Sequence, residues 1–470
     1  MKISNNKEKG ASTTRITIIN IISTLILQGI AIISGPLFSS VLGTNNYGIV
    51  TVYLTWVSVA STVFTLQAGA AIALARVNFP MSDQNKYQSS ALSLSTFSYI
   101  VFSGLTIITV FIISIWRSFD VRMIIVGLAH GWGLYCVRFI NAKFTYEFKA
   151  GNNLFLSVIT SVLVIGASLG FIILLPKNQN YWGRIIGQAL VYTLLGVGIF
   201  VYILHSGKTT YNKRYWKFTL PIAIPTIFHL LANLVLNQSD RVMLQAMMDN
   251  SSTGIYALAC TFGSVLGTIW GALNSSWVPF YYEYTRQNKL EEMKRHARNY
   301  KELFTIITMG FILLSKEVFH IYANASFWGG TELIPIFAMG HYCIFMYSFP
   351  VNYEFYNKAT KSIATGTTMS AVCNIILNLV FIKILGILGA VIATTISYGI
   401  QFVFHFIRAK QLNPDEYPFR MREFIPGFLI VLLTYFINML ATEMWKLRWI
   451  LGAVLGAYLL IKIIHRREIF

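Results

Sequence analysis

Residues 152–175 read NNLFLSVITSVLVIGASLGFIILL, a run without a single charge, bounded by Lys149 on one side and Lys177 on the other. A helix of roughly 20 mostly apolar residues crosses the hydrocarbon of a bilayer, so this stretch is long enough to span. It has many companions. Toward the N-terminus similar stretches lie near 121–140, 89–115, 47–75 and 16–42. Toward the C-terminus they lie near 182–204, 217–247, 254–282, 301–323, 331–356, 362–384, 388–407, 423–442 and 447–464. The expected fold class is an all-α polytopic membrane protein with about 14 transmembrane helices.

The basic residues fall into every second gap between these stretches. With the N-terminus placed in the cytoplasm, the inside segments 1–15, 76–88, 138–151, 205–217, 283–302, 357–362, 407–423 and 462–470 hold 28 of the 37 Lys and Arg residues. Positive residues concentrate on the cytoplasmic side of membrane proteins. Both termini are therefore expected in the cytoplasm; the richness in Ile, Asn and Lys suggests an AT-rich bacterial gene, and the expected location is a bacterial inner membrane.

Composition excludes other classes. A chain that is 55% hydrophobic and 12% charged, with a mean hydropathy of +0.59, would aggregate as a soluble protein. The net charge of +19 does not mark nucleic acid, because the basic residues sit in short loops beside the spans, where anionic headgroups are the natural partner. The first fifteen residues are polar and the span after them is too long for a signal-peptide core, so no cleaved leader is expected. Cys136, Cys260, Cys343 and Cys373 all fall in spans without CxxC spacing and read as small hydrophobes rather than a disulfide or metal set. Ser206-Gly207-Lys208-Thr209-Thr210 has the tail of a phosphate-binding loop, but Tyr202 stands where its first glycine belongs. No cofactor is expected, and no loop is large enough to carry an enzyme's acid or base at the water interface.

An internal echo organises the chain. Asn46-Tyr47-Gly48-Ile49-Val50-Thr51-Val52-Tyr53 after the first span resembles Ser252-Thr253-Gly254-Ile255-Tyr256-Ala257-Leu258-Ala259 after the seventh. In both places an outgoing helix reaches a short turn and the next helix returns, so the repeat is parallel, as in transporters built from two facing bundles.

Asn374-Ile375-Ile376-Leu377-Asn378 followed by Gly386 to Tyr398, and Asn237-Gln238-Ser239-Asp240-Arg241 running into Gly254-Ile255-Tyr256, resemble the motifs of the polysaccharide branch of the multidrug/oligosaccharidyl-lipid/polysaccharide exporter superfamily. Gln28 to Pro36 with Leu42-Gly43 to Tyr47-Gly48, Trp277-Val278-Pro279 and Leu314-Ser315-Lys316-Glu317 match as well. Ile384 and Leu385 stand where the family often has a proline before Gly386. The resemblance implies two six-helix lobes around a central cavity plus two C-terminal helices. On that basis 1–15 is a tail, 16–204 an N-lobe, 205–217 a linker, 218–410 a C-lobe and 411–470 the extra helices. It also implies a flippase that moves isoprenoid-pyrophosphate-linked oligosaccharide units of O antigen, capsule or exopolysaccharide to the outer leaflet, beside other polysaccharide assembly proteins. The sugars cannot cross hydrocarbon unaided, whereas the isoprenoid tail can stay in lipid.

Such a cargo nominates particular residues. Arg15 and Arg76, at the cytoplasmic ends of the first two spans, are candidates for the pyrophosphate, since the guanidinium fork fits phosphate oxygens; headgroup anchoring is the ordinary alternative. Asp240 and Arg241, deep in the seventh span, read as a gate pair, a phosphate contact or a structural pair. Lys316 and Lys383 near the outer ends are possible receivers of phosphate. His229 and His341, with His130, lie mid-span where a proton can couple to movement, and Pro221 and Pro225 precede His229. Gln28 and Gln67 offer amides, and Tyr342, Phe349, Tyr353, Tyr356, Trp270 and Trp277 offer aromatic faces for sugar. The competing readings are a cation-coupled drug antiporter, which needs acidic groups facing its cavity, and a membrane polymerase, which needs a large outside loop.

Overall fold

The computed structural model describes residues 4–115, 120–414 and 417–466, with side chains for 29, 30, 32–115, 120–414 and 417–462. The helices are α1 (Ser4–Val63), α2 (Ile72–Asn78), α3 (Gln84–Ser114), α4 (Val121–Tyr146), α5 (Ala150–Leu174), α6 (Asn180–Gly207) and α7 (Lys213–Met247). They continue as α8 (Asn250–Arg286), α9 (Leu290–Tyr322), α10 (Leu333–Tyr356), α11 (Thr360–Leu385), α12 (Ile387–Leu412), α13 (Ile425–Leu440) and α14 (Trp445–Arg466). Among the described residues there is no strand, and the ten helices α3 to α12 are each long and apolar enough to cross a membrane. The all-helical polytopic fold expected from the apolar blocks is the fold that forms.

The first two expected spans are the irregular ones. α1 is interrupted at Gly43, whose φ of 71° only glycine adopts without strain, and this break separates the two spans. The second span then bends by 53° between Ile32–Val63 and Ala68–Asn78. Leu66 and Gln67 take left-handed backbone angles there, φ 52° and 48°. A break at membrane depth frees backbone groups that need partners. Here Tyr135 on α4 supplies one, accepting from the Gly69 amide at 3.0 Å while its hydroxyl also meets Ser95 at 2.7 Å.

The helices group into two compact units. The first takes residues 1–34 and 49–234, the second 35–48 and 235–470. The boundary between Leu234 and Val235 lies within α7. Within the first unit α6 packs on α3, α4 and α5. Gly183 and Gly187 on α6 bring its backbone onto α5, since a Cβ on either would lie 2.5 Å from backbone atoms of Ile172 or Ser168. Within the second unit α10 is the hub, packed on α8, α9, α11, α12 and α13, and it is the most buried of the spans. α13 and α14 both dock on α9.

α9 holds those two helices by charge. Its Glu317 pairs with the fully buried Arg448 of α14, whose guanidinium also reaches Asn438 at 3.2 Å. Glu302 accepts from Tyr458 at 2.7 Å and pairs with Lys462. Lys301 meets Glu423 at 3.1 Å, and Lys316 meets Glu443 at 3.2 Å. A charge inside a span is costly unless paired, so these charges of α9 tie α13 and α14 to one face.

Candidate functional site

In the first unit the cations matter most. Arg76 closes α2 half-buried, with its guanidinium 6.0 Å from the Phe148 ring and no ion pair among the described residues. Arg138, two turns from the end of α4, is exposed on the unit's surface and likewise has no ion pair among the described residues. Lys143 is different. It is buried and pairs with Glu147 at 2.9 Å, while also donating to Gln88 and to Asn85. Burial raises the Glu147 carboxyl, but the Lys149 and Lys143 ammoniums outweigh this and hold it below the usual glutamate range. Arg15 lies in α1, and its side chain, like that of Gln28, is outside the described residues. Gln67 sits in the left-handed break of the second span, its amide 3.5 Å from the Ser61 carbonyl.

In the second unit Asp240 is the centre of a buried polar cluster. Its carboxylate accepts from Tyr256, from Asn378 at 2.6 Å and from Thr394 at 2.7 Å. Asn374 donates to Thr394 at 3.1 Å and accepts from Asn378 and Ser239. Four helices, α7, α8, α11 and α12, thus converge on one carboxylate that is 3% exposed. Asp240 has a donor from each neighbouring helix, while the Asn378 Oδ1 in the same cluster is buried without a hydrogen-bond partner among the described residues. Arg241 points elsewhere, toward Cys260 with Sγ at 4.0 Å.

The other nominated residues are mostly packed. Tyr342 is buried, stacks beside Phe304 and shares a 2.8 Å hydrogen bond with Thr305. Tyr353 is buried against Tyr417 and accepts from Asn413 at 3.0 Å. Trp277 and Phe349 are fully buried in the same aromatic core, whereas Tyr356 is 38% exposed. His229 meets Asn233 at 3.2 Å. His341 leans on Gly267, with Nδ1 buried and unpartnered. His130 in the first unit is buried, 3.1 Å from the Tyr53 hydroxyl and stacked on Tyr192. Lys316 is taken by Glu443, and Lys383 is exposed.

One pair had no counterpart in the sequence reading. Glu354 on α10 and His405 on α12, both fully buried, meet at 3.0 and 3.1 Å between Nδ1 and the two carboxylate oxygens. A glutamate in a run such as Phe349-Pro350-Val351-Asn352-Tyr353-Glu354 was the available signal, because a charge at that depth demands a partner.

Two units of long apolar helices define a multi-pass helical membrane protein. Its solved relatives in fold agree. The structure aligns with the lipid II flippase MurJ in an inward closed conformation at a TM-score of 0.68 and 15% identity, covering 97% of this chain and 99% of that one. It aligns with the MATE transporter VcmN of Vibrio cholerae at 0.56 and 12%, covering 88% and 98%. A family model described as polysaccharide biosynthesis protein matches residues 14–284, and the chain belongs to that family. Two Haemophilus influenzae proteins are similar in sequence. They are "Lsg locus putative protein 1", 24% identical over 193 residues, and an uncharacterized membrane protein, 22% identical over 219. The matches cover 39% and 45% of this chain, which spans about half the length of these curated relatives, 48% and 52%.

Proposed function

We propose that this protein flips isoprenoid-pyrophosphate-linked oligosaccharide units from the cytoplasmic to the outer leaflet of a bacterial inner membrane, for O antigen, capsule or exopolysaccharide, by alternating access. The observation that carries the reading is an imbalance of free charge. Within the spans Asp240, Glu317 and Glu354 are each held by protein donors, so among the described residues these carboxylates are not open to a cationic drug. Arg76 and Arg138 in the first unit have no ion pair among the described residues, and the guanidinium fork suits the oxygens of a pyrophosphate. Arg15 joins them as a cytoplasmic contact. Membership in a polysaccharide biosynthesis family supports a glycan-bearing cargo.

The test uses purified protein in liposomes and follows a fluorescent isoprenoid-pyrophosphate oligosaccharide to the opposite leaflet. Wild type moves it, and Arg76→Ala with Arg138→Ala, still folded, slows it at least tenfold; Arg15→Ala with Arg76→Ala probes the cytoplasmic mouth. Efflux of an organic cation with no movement of lipid-linked sugar would overturn the reading in favour of a drug antiporter.

A further inference from the structure

The second unit holds a cavity of about 780 Å³ that the proposed transport does not use, walled by the N-terminal half of α9, the segment before α13 and the start of α13. Among the described residues its mouth carries five cations, Lys294, Arg298, Lys301, Arg420 and Arg422, against two carboxylates, Glu302 and Glu423. Both carboxylates are spent on Lys462 and Lys301, and Lys294 pairs with Glu291. Arg298, Arg420 and Arg422 are exposed and have no ion pair among the described residues. The floor is of another kind, formed by Ile306, Met309, Phe424 and Ile430, with Gly427 opposite the Tyr342 hydroxyl.

Depth explains the division. α9 has 33 residues, about 50 Å at 1.5 Å per residue, so its polar first turns project past a hydrocarbon core of about 30 Å. Lys294 and Arg298 therefore lie at headgroup level, while Ile306 and Met309 lie further in. A cationic mouth above an apolar floor matches an amphiphile with a phosphate head. A soluble anion would gain nothing from the floor.

We propose that this cavity binds an anionic phospholipid of the leaflet on the basic side, its phosphate held by Arg298, Arg420 and Arg422 and a chain laid along Ile306, Met309 and Ile430. The site stands apart from the transported cargo. By bridging α9 to the start of α13, the bound lipid reinforces the contact that Lys301 and Glu423 make directly.

The experiment measures thermal stabilisation of the full-length protein in a neutral detergent titrated with phosphatidylglycerol, phosphatidylcholine, inorganic pyrophosphate or an isoprenoid pyrophosphate. Phosphatidylglycerol raises the midpoint saturably and phosphatidylcholine does not. Replacing Arg298, Arg420 and Arg422 by Gln weakens the apparent affinity at least tenfold, whereas Arg295, Lys358 and Lys361 changed to Gln, the same charge loss outside the cavity, does not. Arg298→Gln alone gives an intermediate loss. Equal stabilisation by inorganic pyrophosphate would assign the cavity to a soluble anion, and preferential displacement of the phospholipid by isoprenoid pyrophosphate would assign it to the cargo. Either result, or full phosphatidylglycerol response in the triple variant, overturns the proposal.

Discussion

Gly48 and Gly254, 206 residues apart in the chain and aligned with one another in the internal echo, pack backbone to backbone in the second unit. A Cβ on Gly48 would lie 1.9 Å from the Asn250 carbonyl oxygen, and one on Gly254 would lie 2.1 Å from that of Thr44. The reciprocity follows from the repeat, since each glycine opens the helix after its turn and meets the turn of the other. A 2.9 Å hydrogen bond between Thr44 and Ser251 and the ring contact of Tyr47 with Phe327 close the same joint.

Because backbone cannot yield as a flexible side chain does, Gly48→Ala and Gly254→Ala are each expected to destabilise by about 1–3 kcal/mol. Gly104→Ala, on α3 with nothing within 4 Å, should leave the unfolding midpoint unchanged or slightly higher. Thermal unfolding of the three variants checks this, and equal midpoints would refute the contact.

Asp249 caps α8 beside that joint, accepting from the Ser252 amide at 2.7 Å and its hydroxyl at 2.9 Å. The Ser252 backbone bond holds its carboxyl below the usual aspartate range. With the folded value depressed, the contribution is present above the unfolded value and is lost as pH falls through the folded one. Asp249→Ala should cost about 1 kcal/mol at neutral pH, and Asp249→Asn should keep the cap while removing that group's acid dependence. Melting curves between neutral and acidic pH, compared across the two variants, decide it.

The Asp240 cluster predicts a stability effect before a transport effect. Asp240→Ala strands donors from α8, α11 and α12 together and should cost about 2–5 kcal/mol. Folded yield by size-exclusion chromatography is the measurement. A variant that folds as well as wild type yet carries no cargo would instead make Asp240 a transport residue.

Tyr135→Phe removes the acceptor from the Gly69 amide at the break in the second span, a loss of about 1–2 kcal/mol. Gln67→Gly should act in the opposite sense by relieving a left-handed residue. Midpoints that moved the same way in both would sink this account of the break.

Glu354 and His405 should show strong coupling. Each single change to Ala leaves the partner buried alone, and the double mutant should lose less than the sum, by about 1–3 kcal/mol. A double-mutant cycle that closes to zero would mean the two side chains act independently.

What could be read ahead of the structure was what is local. Apolar blocks of span length are a property of contiguous residues, so the helices sit where hydropathy placed them, and Gly43 marks the first turn as its position suggested. Asp240 was visible because a carboxylate stands out in the seventh span. Its partners Asn378 and Thr394 were quoted only as parts of a motif, since nothing in sequence spacing says that α11 and α12 turn those side chains toward α7. The Glu354–His405 pair was missed for the same reason, and so was the bend at Leu66–Gln67, where the two left-handed residues are not glycine and Gly69 comes only after them.

The charges on α9 bear on how the protein is made. Glu317 enters the membrane 131 residues before Arg448 is synthesised, a wait of roughly 7 to 26 seconds at ordinary elongation rates. During that interval Glu302 also lacks Lys462. The nascent chain therefore passes through a stage in which α9 is held without these partners, and it leaves that stage only when α14 arrives. The charge pairing that ties the second unit together on that face is thus ordered in time by the synthesis of α14.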